Sequence, residues 1–254
     1  MTHDMTPLDL SLVRALEERA FNAWPARQTV LHNGWIFRLS NGFTKRANSA
    51  NAVEPGASFE GVREAAEALY KRHGLPTVFR MSPLASPEAD RELADAGYTL
   101  FDPTQVTRAS LANAASHPCV DIASAPSRDW LDGFAAANGV DPRQRETHDA
   151  MVRSIAMNTA FATLREQGEA IGFGLAVLER GAVGFYDIVI VPARRGRGHG
   201  RALMRALMHW GGEEGATAAY LQVREQNEAA RRLYAGLGFE DFYRYHYRLP
   251  KQPA

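Results

Sequence analysis

Three glycines at alternate positions, Gly196, Gly198 and Gly200, stand between the apolar run Val189-Ile190-Val191-Pro192 and an apolar pattern of helical spacing that begins at Ala202. That order predicts a strand, a tight loop and a helix, with the glycines where the loop becomes the helix. Backbone N–H groups at a helix start have no intrahelical partner and lie at the positive end of the helix dipole. Glycine tolerates positive φ and lets the backbone approach a bulky anion. The stretch Gly196–Arg201 therefore reads as a cradle for phosphate. Two common phosphate loops are excluded. An ATP loop needs Gly-Lys-Ser/Thr, and Gly200 is followed by Arg201-Ala202. A dinucleotide loop needs glycines at its first, third and sixth positions; the sixth is Arg201 counted from Gly196 and Leu203 counted from Gly198. The bland alternative is a surface turn rich in glycine and arginine.

What fits is Arg/Gln-x-x-Gly-x-Gly after a strand, here Arg195-x-x-Gly198-x-Gly200. Downstream, the strand-like Leu221-Gln222-Val223 precedes a segment that runs from Asn227 through Ala230 and Tyr234 to Gly238-Phe239. That segment has the form Asn-x-x-Ala-x-x-x-Tyr-x-x-x-Gly-Phe. The two motifs, in this order and about one helix and one strand apart, resemble the GNAT superfamily of N-acetyltransferases over residues 119–250. The resemblance implies that acetyl-CoA is a co-substrate and that Gly196, Arg197, Gly198, His199, Gly200 and Arg201 take its pyrophosphate. It also implies that Ile188, Val189 and Ile190 hold the pantetheine arm through backbone groups. Arg195 and Arg201 would add charge-assisted contacts.

Charge excludes other readings. The chain balances 29 basic against 29 acidic residues, which argues against general nucleic-acid or membrane-surface binding. Its one cysteine, Cys119, rules out an internal disulfide framework and a cysteine zinc site, and fits a reducing compartment. The start, Met1-Thr2-His3-Asp4, lacks the basic and apolar regions of a signal peptide. No apolar run approaches the roughly 20 residues of a membrane span. The expected location is the cytoplasm, and a homodimer is left open.

Taken in order, Leu8 to Ala23 predicts an amphipathic helix, and Thr29 to Leu39 a hairpin around Asn33-Gly34. Arg46 to Pro55 predicts a strand, Phe59 to Lys71 a helix, Thr77 to Met81 a strand and Pro87 to Ala96 a helix. Two short strands, Tyr98–Phe101 and Gln105–Leu111, follow. The small polar stretch from Asn113 to Pro118 reads as a boundary. Beyond it come the strand Val120–Ala123, a helix capped by Ser127 through Gly133, and a helix from Asp141-Pro142 to Met157. A hairpin turns around Gln167-Gly168-Glu169, and Gly184 to Val191 leads into the glycine loop. The two halves share an element order, and Leu93 to Tyr98 aligns without gaps on Tyr234 to Phe239. The expected fold is α/β with a mixed α+β sheet, as two GNAT-like modules in tandem. Each would be a mostly antiparallel twisted sheet flanked by helices. Residues 1–113 would form a degenerate module without a phosphate loop, and residues 119–254 the catalytic module. An unrelated α+β N-terminal domain is the alternative.

Asn227 and Tyr234 lie two helical turns apart and so share a face. The resemblance assigns Asn227 to cofactor binding and Tyr234 to protonating the departing thiolate; a core aromatic is the other reading of Tyr234. Some family members carry a glutamate where this chain has Gln222, and glutamine cannot accept a proton. Asp187, at the start of the cofactor strand, is the first alternative base, with Glu225 and His148 behind it. No metal is called for. The expected partner is a small-molecule or peptide amine, attacked directly in a ternary complex. An acyl-CoA-binding regulatory or scaffold module with little catalysis is the competing reading. The polar run from Thr44 to Asn51, with Arg46 and Asn48, is the expected acceptor-facing segment.

Overall fold

Among the described residues, alternating apolar residues and the turns between them build eleven strands, and seven α-helices cover the two faces they make. The computed structural model describes residues 7–111 and 119–251. The predicted boundary from Asn113 to Pro118 and the N-terminal segment Met1–Asp4 lie outside the described residues. In chain order the elements are α1 (Leu10–Ala23), β1 (Gln28–His32), β2 (Trp35–Leu39), β3 (Ala50–Ala52), α2 (Val62–Arg72), β4 (Phe79–Met81), α3 (Pro87–Asp95) and β5 (Tyr98–Ser110). Then follow β6 (Val120–Ala123), α4 (Arg128–Asn138), α5 (Pro142–Arg153), β7 (Asn158–Glu166), β8 (Glu169–Glu179) and β9 (Ala182–Ile190). The last are α6 (His199–Glu213), β10 (Ala218–Arg224), α7 (Glu228–Ala235) and β11 (Glu240–Pro250).

One sheet runs unbroken through both halves in the order β1-β2-β3-β4-β11-β5-β10-β9-β8-β7-β6. The sequence reading expects a sheet for each module, and here they are fused. The cause is the placement of β5 and β11. The last strand of the chain lies between β4 and β5, and β5 lies between β11 and β10. Two pairs are parallel, β3 with β4 and β9 with β10; the other named pairs are antiparallel. The sheet separates two apolar clusters. Leu203, Met204 and Leu207 of α6 pack with Val183, Phe185, Leu221 and Phe239 on one side. Val13 and Leu16 of α1 and Trp130 and Phe134 of α4 belong to the cluster on the other.

Three elements depart from expectation for local reasons. The segment from Arg46 to Pro55 is not one strand: a 3-10 turn, Lys45–Ala47, precedes the short β3. The Asn48 amide folds this loop on itself, accepting from Ser40 N (2.7 Å) and Gly42 N (3.0 Å) and donating to Thr44 O (2.8 Å). Such side-chain bonds compete with a strand ladder. Helix α4 passes through Gly133 because that glycine meets the Phe173 ring, where a Cβ would collide; the helix ends at Gly139, whose φ of 66° suits its C-terminus. The two predicted strands around Asp102-Pro103 are one, β5, with a register shift there that accommodates the proline.

A buried ionic group fastens α1 to the middle of the sheet. Glu17 is bound by both terminal nitrogens of Arg80 on β4 and by the Tyr243 hydroxyl of β11. Glu17 and Arg80 are 1% and 2% exposed. Removing one partner leaves the other charged and dry, which costs about 3–5 kcal/mol. Glu17→Ala should therefore lower unfolding stability in urea by about that amount. Replacing both by apolar residues, as in Glu17→Leu with Arg80→Met, should recover most of the loss. Equal losses in the single and the double variant would contradict this account.

Candidate active site

β9 and β10 begin side by side and then part. They pair only from Ala182/Ala218 to Phe185/Leu221. Beyond that point β9 contains an extra residue: Tyr186 and Val189 pair with β8 at Leu175 and Phe173, so Asp187 and Ile188 stand opposite Gly174 alone. Asp187 has φ of 51°, a left-handed value that aspartate tolerates better than most residues. Such a bulge twists and bends its strand. It also resets the alternation of sides. Phe185, Ile188 and Ile190 lie with the α6 cluster, while Tyr186 and Val189 lie with the other. The facing edge of Ile188–Ile190 is left without a partner strand. A cavity of about 420 Å³ opens in the gap, reached by Asp187, Ile188, Gln222, Asn227 and Tyr234.

The glycine loop continues from this gap. After a 3-10 turn, Pro192–Arg194, Gly196 and Gly198 take φ of 75° and 84°. Both face open space, so backbone conformation rather than crowding selects glycine there. Gly198 is the N-cap of α6 and supplies no side-chain acceptor; its carbonyl takes the N–H of Arg201, which leaves the N–H groups of His199 and Gly200 available. A Cβ on Gly200 would lie 3.1 Å from Leu233 of α7, so close packing selects the third glycine. The loop arginines differ. Arg195 Nε donates to Ile190 O (3.0 Å) and Arg201 Nη1 to Gly236 O (2.8 Å), tying the loop to β9 and α7. Arg194 is paired with Glu166 and Glu169. His199 Nε2 is 3.6 Å from Glu166. Arg197 is exposed and has no partner among the described residues.

Asp187 and His148 meet in the cavity wall, with His148 Nε2 2.7 Å from Asp187 Oδ2. His148 is fully buried, stacked on Phe134 at 4.8 Å and edge-on to Phe43 at 5.7 Å. Burial opposes its charge, but the hydrogen bond and charge of Asp187, helped by Asp149, more than offset this and hold its pKa above the ordinary histidine value. Tyr234 is half-buried, and burial pushes its pKa up to about 12. It stays protonated through the neutral range. Asn227 Oδ1 caps α7 by accepting from Ala230 N (3.2 Å). Gln222 Oε1 accepts from Tyr245 (2.9 Å). Glu225 is paired with Arg244 at 3.1 Å.

Most of the residues singled out in the sequence come together: Asp187, Ile188, Asn227 and Tyr234 in the cavity, and Arg195 to Arg201 in the loop beside it. Of the polar N-terminal run, Thr44, Lys45 and Arg46 reach the cavity, whereas Asn48 is buried and engaged by its own loop. The pairing of His148 with Asp187 is a feature that spacing cannot show, since 39 residues separate them. The available signal is a histidine beside Thr147, Met151 and Val152 on the buried face of an otherwise polar helix.

A parted pair of parallel strands, a glycine loop at a helix start and a tyrosine on the next helix define a GNAT-type acetyltransferase fold. The chain belongs to the family described as probable histone acetyltransferase Rv0428c C-terminal, whose model matches residues 10–248. It is 29% identical over 247 residues to the uncharacterised N-acetyltransferase YobR of Bacillus subtilis, covering 94% of this chain and 99% of that one. It is 29% identical over 208 residues to the mycothiol acetyltransferase of Renibacterium salmoninarum, covering 77% of this chain and 58% of the relative. Among solved structures, a GCN5-related N-acetyltransferase from Kribbella flavida superposes with a TM-score of 0.74 at 16% identity, covering 94% of this chain and 96% of that chain. Among the described residues no helix is long and apolar enough to cross a membrane.

The Asp187–His148 pair predicts a signed pH dependence. The folded pKa of His148 is raised, so the pair's contribution is complete below the unfolded histidine value of about 6.5 and is lost as pH rises through the higher folded value. In Asp187→Asn the buried imidazole loses that partner. The Tm gap between wild type and Asp187→Asn should be widest below the unfolded histidine value of about 6.5 and shrink as pH rises through the higher folded value. A gap independent of pH would show that the two groups do not exchange charge stabilisation.

Proposed function

We propose that the chain is an acetyl-CoA-dependent N-acetyltransferase that acts on a primary amine by direct attack in a ternary complex. The observation that carries this reading is the gap between β9 and β10, which ends at the carboxylate of Asp187 and continues into the uncapped start of α6. Acetyl-CoA fits these features. The first-turn N–H groups of α6 and exposed Arg197 would hold its phosphates. The backbone edge of Ile188–Ile190, which has no partner strand although the Ile190 carbonyl accepts from Arg195, would hold its pantetheine arm. When bound, it supplies the activated acetyl group.

The chain's own residues then have two proton tasks. An amine arrives as an ammonium and must lose a proton before it can attack. Of the two carboxylates that line the cavity, Asp102 lies 3.8 Å from Arg224, and Asp187 is the one assigned to take it, with His148 as a positioning residue that holds the carboxylate through Nε2 and shares the added charge. The departing thiolate needs a proton, and Tyr234, still protonated at neutral pH, is the donor on the cavity wall. Proton transfers of this kind contribute about 10²–10⁴-fold. A covalent route through Cys119 is disfavoured. It precedes β6, the far edge strand, three strands from β9 and so about 14 Å away at ordinary strand spacing.

Residues 119–254 form the catalytic half in this reading, and residues 1–113 a degenerate copy. Its support is the matched order of a parallel strand pair, a helix and a crossing strand: β3/β4, α3 and β5 against β9/β10, α7 and β11. A tandem GNAT protein from the clavulanic acid pathway superposes on 98% of this chain with a TM-score of 0.61. The competing reading, an acyl-CoA-binding module with little catalysis, rests on Gln222, which occupies the family glutamate position and is engaged by Tyr245.

Thiol release from acetyl-CoA across a panel of amino acids, polyamines, aminosugars and peptides tests both readings. Tyr234→Phe and Asp187→Asn should each lower kcat about 100-fold or more while acetyl-CoA binding persists. The His148→Gln variant should move the acid limb of the rate profile without abolishing turnover. Tight acetyl-CoA binding without thiol release on any amine would favour the binding module.

A further inference from the structure

We infer that the acceptor is an amine carrying its own carboxylate on an apolar body, as a free amino acid does, and that Arg46 binds the carboxylate. The inference rests on the acetyltransferase reading and names its substrate class. Arg46 sits in the 3-10 turn contributed by the N-terminal half, half-buried, and opens into the cavity that Asp187 and Tyr234 also line. Its guanidinium has no hydrogen-bond or ion-pair partner among the described residues. Nearby charged side chains are engaged. Arg80 is neutralised by Glu17. Lys45 lies over the Phe101 ring at 4.4 Å. Asp187 is bound to His148, and Asp102 lies 3.8 Å from Arg224.

The turn is also held rigidly. Buried Arg38 donates from Nη1 to Arg46 O at 2.6 Å and from Nη2 to Phe21 O at 3.1 Å, and the Asn48 amide ties the residues on either side. None of these bonds uses the Arg46 side chain. An unpaired guanidinium on a fixed backbone offers paired N–H donors that match a carboxylate. The carboxylate of Asp187 and the cation of Arg46 line the same cavity, and Trp24, Phe43, Phe134 and Tyr186 line it with them. A molecule with an ammonium, an aromatic or aliphatic body and a carboxylate is complementary to these three kinds of group. A lysine within a basic peptide would bring further cations towards Arg46 and Lys45, and that repulsion selects against it.

The test compares L-phenylalanine with phenylalaninamide, phenethylamine, O-phosphoethanolamine and a lysine-rich peptide as acceptors, in the full-length protein with acetyl-CoA. Wild type should prefer the acid to its amide by about tenfold or more in kcat/KM, mostly through KM, the scale of a charge-assisted bidentate pair. In Arg46→Gln that ratio should fall to near one, and Arg46→Lys should restore part of it. A wild-type ratio near one, a ratio unchanged in Arg46→Gln, or preference for the phosphate or the basic peptide would overturn the inference. Binding of the product-like N-acetylphenylalanine against its amide, followed by calorimetry, separates the two levels. If no acceptor turns over but the acid still binds better in an Arg46-dependent way, the carboxylate site stands and the catalytic reading fails. If turnover occurs without acid preference, only this inference fails.

Discussion

The architecture of the site depends on one extra residue in a strand. In an unbroken ladder Asp187 alone would stand opposite Gly174, β9 would keep its alternation, and Ile188 would face the α4 side rather than the α6 side. With the extra residue, the strand turns, side chains swap faces, and pairing with β10 stops after Phe185. The carboxylate then stands at the mouth of the gap, where His148 can reach it. Local backbone strain of this kind persists only when surrounding packing over-determines it. Here the surroundings include a fully buried imidazole bonded to the strained residue and three aromatic rings around that imidazole.

How much of this was legible in the sequence follows the range of each interaction. The glycine loop and the Asn227–Phe239 segment are local: positive φ at Gly196 and Gly198, a capping asparagine and a tyrosine two turns later all lie within one element or one turn. Their backbone shapes read correctly, as did the hairpin at Asn33-Gly34. The loop around Asn48 reads as a strand by composition, because no pattern announces that its amide will bond three backbone groups. Gly133 reads as a helix end, because the ring of Phe173 that demands a glycine is 40 residues away in sequence. The pairing of His148 with Asp187, and the presence of Arg46 and Asp187 in one cavity, depend on topology. β5 and β11 exchange places between the halves, and no periodicity encodes which strand lies beside which.

The cavity is therefore shared property. Part of its lining comes from β9, β10 and α7. The rest includes Trp24 at the end of α1, Lys45 and Arg46 of the 3-10 turn, and Tyr245 and Tyr247 of β11. The dry Glu17–Arg80 pair fixes α1 on the sheet, and α1 delivers Trp24 to the site, where it stacks on Tyr186 at 6.0 Å. Arg38 binds the carbonyls of Phe21, Trp24 and Arg46 together. A structural core in one half thus sets the position of side chains in a cavity that the other half also lines.

The interleaving of β5 and β11 also has a temporal meaning. β5 leaves the ribosome with neither of its final neighbours made: β10 comes more than 100 residues later and β11 later still. For that interval its two edges are open, and so is the edge of β4 that β11 will cover. Contacts this far apart in sequence slow folding, and unpaired edges invite association with other chains. Closure of the sheet and completion of the cavity are one event, because the strand that seals the centre also supplies Tyr245 and Tyr247. A nascent chain of this protein gains its central cavity at the moment these inner edges disappear.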